Sequence, residues 1–220
     1  MLNALLSTTL LLGLIPGADA PTKEQIGTWI QELAGEQDAQ HANLLSKAWP
    51  GARPAVIAAL ARHAQPAVRS WCARIVGDHA GEIEQRALAR SATRDGLPRV
   101  RAVALLQLSK RPDGIYVEAL RGLLEWESDR GNLLTLLGLV ERTGDEDLAA
   151  PLLTAIASRF DAELTRAGYA SLRKLTRLSL PDEPRAWRAV LEARAEERLE
   201  RQEREREESE EGSGGGSARD

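Results

Sequence analysis

Apolar positions recur along this chain every 32 residues. Val56, Leu88, Leu120 and Leu152 stand 32 apart, and so do Leu60, Ala92, Leu124 and Ile156, four positions further on. Two more ladders run through Ala73, Leu105, Leu137 and Tyr169, and through Val76, Leu108, Val140 and Leu172. Offsets of three or four residues between paired ladders put their rungs on one face of a helix. Self-similarity at such a period marks stacked repeats, each too small to bury its apolar face alone.

Turn residues fall between the apolar runs and divide them into helices. Thr22 and Gln25 form a capping box, in which each side chain satisfies a backbone donor of the other. Ile26, Trp29, Ile30 and Leu33 follow as one stripe, and Gly35 ends it. Helix pairs are then predicted at 38–48 and 54–64, 66–77 and 82–94, 98–109 and 115–127, 131–142 and 147–159, and 162–177 and 183 onward. The last break is about three residues longer, so Trp187 and Leu191 take the rungs that Leu152 and Ile156 hold one unit earlier. The fold class predicted is all-α: an α-solenoid of about five antiparallel helix pairs. An N-terminal helix caps one end and a long charged C-terminal helix the other.

The openings of the pairs carry a resemblance. Pro66-Ala67-Val68-Arg69 and Pro98-Arg99-Val100-Arg101 resemble the P-x-V-R-x-x-A start of HEAT repeats, in particular the PBS-lyase HEAT-like type. Ala104 keeps the closing Ala, Cys72 replaces it in the earlier repeat, and His41 replaces an apolar rung in the first. Leu164-Thr165-Arg166-Ala167 is a looser match, and Gly144-Asp145-Glu146-Asp147 resembles the family's turn. The likeness spans roughly 37–191. It implies right-handed stacking with the second helices lining a concave side. It also implies a role in protein–protein binding, with a few enzymes in the family. A fold of this kind does not fix a function.

Charge divides the chain. The net charge of −4 is concentrated between Glu192 and Glu211, where ten Glu face five Arg. That segment carries −5, which leaves the rest at +1, so no nucleic-acid partner is expected. Four parts follow: 1–20, an export signal; 21–191, the repeat body; 192–211, a charged helical extension; and 212–220, a flexible Gly/Ser tail. The first segment has a leucine-rich core and an Ala18-Asp19-Ala20 cleavage pattern, though no Lys or Arg precedes the core and Pro21 follows the cut. It places the chain outside the cytoplasm, in the periplasm or cell envelope, with no membrane span in the mature protein.

Chemistry-bearing motifs are sparse. Cys72 is the single cysteine and reads as a small core residue. His41, His63 and His79 have no metal-ligand spacing, and no phosphate loop or nucleophile elbow occurs, so neither metal nor cofactor is implied. Arg86, Arg90 and Arg94 stand four apart, roughly 200° round from the Leu88–Ala92 core stripe, and are read either as a site for a carboxylate- or phosphate-bearing partner or as an ordinary solvated helix face. Trp126 also falls off its apolar stripe, as an interface anchor or as packing on a neighbouring helix. Trp49, in a helix-ending turn, is expected to pack over its own repeat. The expected function is a non-catalytic protein-binding module of the envelope. Two alternatives stay open. One is a lyase-like or DNA-glycosylase-like enzyme, which needs an acidic residue buried beside Trp126 or the three arginines. The other is a plain structural spacer.

Overall fold

The computed structural model describes residues 20–79 and 81–214, and the described residues form helices and turns without a strand. The helices are α1 (Lys23–Gln31), α2 (Asp38–Lys47), α3 (Arg53–Arg62), α4 (Pro66–Gly77), α5 (Glu82–Arg94) and α6 (Pro98–Leu108). They continue as α7 (Gly114–Trp126), α8 (Arg130–Thr143), α9 (Ala149–Arg159), α10 (Ala162–Thr176) and α11 (Pro184–Gly214). The segment read as an export signal lies outside the described residues, Ala20 excepted. The helix α11 runs to Gly214 and takes in the first three residues of the expected flexible tail; residues 215–220 are not described. No helix among the described residues is long and apolar enough to cross a membrane.

Local chemistry explains the ends. The capping box forms: Thr22 N donates to Gln25 Oε1 at 2.8 Å, and Gln25 N donates to Thr22 Oγ1 at 3.2 Å. Pro66 and Pro98 open α4 and α6, where the missing N–H has no partner to lose. Asp113, Asp129 and Asp161 cap α7, α8 and α10 by accepting from backbone N–H groups of the first turn. Gly144 ends α8 at φ 63°, a conformation that costs a side chain strain. The Asp145–Asp147 run becomes a 3₁₀ turn (Glu146–Leu148) leading into α9.

Packing follows the ladders. All sixteen rungs are buried. Helix α3 packs on α5, α5 on α7, α7 on α9 and α9 on α11; in parallel, α2 packs on α4, α4 on α6, and α8 on α10. Every second helix therefore meets its counterpart one period on, and the rungs fill the space between. Trp187 and Leu191 are buried as the three-residue slip requires. The longer loop behind them is pinned from both sides: Trp187 Nε1 donates to Pro181 O at 2.8 Å, and Arg173 donates to Leu180 O and Asp182. His41, at an apolar rung, is buried and takes Glu32 as its partner, with Nε2 and Oε2 2.6 Å apart.

Trp49 corrects the sequence expectation. It packs against the core half-buried and reaches beyond its own repeat to stack on His79, ring centroids 4.0 Å apart and planes 6° from parallel. The turn after α2 thus reaches the turn after α4, one period away, a contact that no pattern within one repeat could announce.

Rung and surface leucines should separate sharply. Leu120→Ala leaves a cavity at a fully buried rung and is expected to cost about 2–5 kcal/mol. Leu134→Ala, at an exposed position, should cost under about 1 kcal/mol. Urea unfolding of the two variants checks this, and equal losses would contradict the packing.

Candidate functional site

Arginines run through the ends of the odd-numbered helices. Arg69 donates Nη1 to the carbonyl of His63, the residue that caps α3, at 2.8 Å. Arg101 does the same to Asp95, which caps α5, at 2.9 Å, and Arg159 to Glu127, which caps α7, at 2.7 Å. A guanidinium at a helix C-terminus satisfies carbonyls that the helix cannot and complements its dipole. Arg69 and Arg101 also fork onto the carboxylates of those caps. Arg69 reaches Asp95 at 2.7 and 2.9 Å, and Arg101 reaches Glu127 at 2.7 and 2.6 Å. The cap side chains in turn accept the N–H two residues on, from Gln65, Leu97 and Asp129. The Arg of each P-x-V-R opening therefore ties its own unit to the end of the preceding one.

Glu127 is the most enclosed carboxylate of the series, its side chain 1% exposed. Burial pushes its carboxyl up, but hydrogen bonds from Arg101, from Asp129 N–H and from Asn132, with the Arg101 charge, outweigh that and hold it at about 2. Its oxygens take five donors: two from Arg101 and one each from Ser128 N, Asp129 N and Asn132. Asp95 is likewise occupied by Arg69 and Leu97 N. Acidic residues do stand beside Trp126 and the arginines, the feature an enzyme reading needs. Both are saturated, so neither offers a free carboxylate as a general base.

The positions just before these caps, 62, 94 and 126, follow the same period and stay outside. Arg62, Arg94 and Trp126 are exposed at the ends of α3, α5 and α7. Trp126 is 42% exposed, and one ring face is covered by Arg101, whose Cζ lies 5.1 Å from the centroid. Of the two sequence alternatives for Trp126, the ring is half committed to packing and half free. Arg86, Arg90 and Arg94 are exposed on α5. Arg86 pairs with Glu82 one turn back at 2.6 Å, and no described residue pairs with Arg90 or Arg94.

A groove of about 400 Å³ opens between α3 and α5. Its cations are Arg62, Arg86, Arg90 and Arg94. Ile57, Leu60 and Ala87 give it apolar walls, and Ser91 lines it. Ser91 is 7% exposed, and its hydroxyl has no hydrogen-bond partner. The structure thus brings the three predicted arginines together with Arg62, which sequence reading missed, and leaves Trp126 one helix away. The signal for Arg62 was present: it stands 32 residues before Arg94.

Among the described residues no cluster of His, Cys, Asp and Glu is arranged to hold a metal ion. No family model, curated protein or solved structure matches this chain.

Acid titration should expose the Glu127 pair. A carboxyl depressed to about 2 from 4.5 contributes stability that is fully present above 4.5 and is lost as pH falls toward 2. Glu127→Gln should flatten the stability loss in that window, and an unchanged acid profile would count against the geometry. Cys72 makes a second check. Burial raises its thiol to about 12, so it should resist a thiol reagent in native protein and react on unfolding. Rapid native labelling would contradict its place in the core.

Proposed function

We propose that this chain is a non-catalytic docking module of the cell envelope, built as a HEAT-like α-solenoid of five helix pairs. What supports the solenoid is the contact of each helix with its counterpart one period on, with every rung between them buried. What supports docking is the cationic groove. Arg62, Arg90 and Arg94 hold their charges in solvent with no ion pair among the described residues, while most buried charges nearby are paired. Unpaired guanidiniums beside apolar walls suit carboxylates on a protein surface, because the planar fork binds them in pairs. Trp126 at the next step of the row adds a large ring at low ordering cost.

The docked partner is protein and anionic. A nucleic-acid partner has little to recommend it, since the chain as a whole carries a net −4. Residues 1–20 carry the reading of export.

Crosslinked capture from envelope extract tests the module. The full chain should enrich the same protein repeatedly, and Arg90→Glu/Arg94→Glu should reduce that capture about tenfold or more. No reproducible enrichment, or enrichment indifferent to the charge reversal, would sink the reading.

A further inference from the structure

The groove between α3 and α5 has a counterpart on the same chain, at the far end of α11. Beyond the ion pairs of Arg194 and Arg198 with Glu146 and Asp147, the helix continues as an acidic rod. Residues 196–208 hold seven Glu and four Arg, and Arg198 is already spent on the body. Leu199 is 59% exposed, the most exposed large apolar side chain among the described residues. Glu196 and Glu203 stand three residues before it and four after it on the same face, and Glu200 follows it at the edge of that face, so the rod presents one apolar knob with carboxylates on either side.

The groove presents the converse: apolar walls from Ile57 and Ala87 within a rim of Arg62, Arg90 and Arg94. Asp95, the one carboxylate in it, is occupied by Arg69 and does not repel an incoming acid. The geometry points to a single occupant: the acidic segment 196–208 of a second copy of this chain, with Leu199 against the apolar walls and its glutamates against the arginines. This is helix-in-groove recognition with a charged rim. It rests on the reading of the arginine face as a docking surface and says what fills that surface when no other partner is present.

The same chain cannot supply the segment to itself. Helices α5, α7 and α9 stand between α3 and α11 in their row, and at about 8–10 Å per step the groove is three to four steps, roughly 25–40 Å, from α11. Helix α11 is continuous to Gly214 and has no turn at which to fold back. A second copy therefore donates the rod. Donor and acceptor surfaces differ, so the contact is heterologous and each docked copy still offers its own groove. Association should continue past the dimer as concentration rises. Exposed charge pairs are weak and screened, so salt should dissolve it.

Sedimentation velocity on the full chain decides the matter, run from about 10 μM to 1 mM at roughly 0.05 M and 0.5 M salt. At low salt the mean mass should climb with concentration, beyond twice the monomer's 24.0 kDa, and return to monomer at high salt. Arg90→Glu/Arg94→Glu should abolish the rise, as should Glu200→Arg/Glu203→Arg, with helicity by circular dichroism unchanged. All four substitutions in one chain reverse both surfaces and should restore it. A chain that stays monomeric throughout, or self-association indifferent to either reversal, overturns the proposal. If the chain is monomeric while Arg90→Glu/Arg94→Glu still loses its envelope partner, self-docking fails and the docking-face reading stands.

Discussion

Guanidinium groups at the ends of the odd-numbered helices set how neighbouring helices align. Apolar rungs favour burial but are non-directional, and a helix displaced along its neighbour would still bury leucine against leucine. The Arg69 and Arg101 forks admit one arrangement, because each joins a carboxylate and a capping carbonyl from two different helix ends. Their value is geometric more than energetic. A buried ion pair recovers its desolvation cost only with every lone pair used, and the five donors around Glu127 meet that condition.

The exposed surface follows from this constraint. Once positions 63, 95 and 127 are committed as caps, the residues before them stand at helix ends with their side chains outward. Arg62, Arg94 and Trp126 are thereby lined up one period apart. Asp95, the carboxylate that lines the groove with the free arginines, is taken by Arg69, and Glu82 is taken by Arg86. Core and surface share one period, so a change of length within a helix would misalign both, whereas the longer loop before Trp187 takes up its extra residues without losing the rungs.

Much of the fold was legible from the ladder. The sixteen rungs are buried, the helices begin and end within a few residues of the turn signals, and Trp187 and Leu191 are buried at the positions that the longer last break assigns them. These features are readable because they are local: periodicity, Pro at a first turn and Gly or Asp at an end act within one helix. The outward direction of Arg86, Arg90 and Arg94 was readable for the same reason. Arg62 was missed although it stands in register with Arg94, because a cation on a neighbouring helix becomes relevant only after the two helices are packed side by side.

Sequence alone determined that the chain is helical, where its core lies, which arginines point out and where its negative charge resides. Those properties depend on spacing along one helix, which the chain carries covalently. Only the tertiary structure decided which carboxylates were spent and which cations were left. Asp95 and Glu127 stand 26 residues from the arginines that neutralise them, and Trp49 stands 30 from the His79 it covers. Such partnerships depend on distances across helices, and these exist only after the apolar rungs have brought successive helices together.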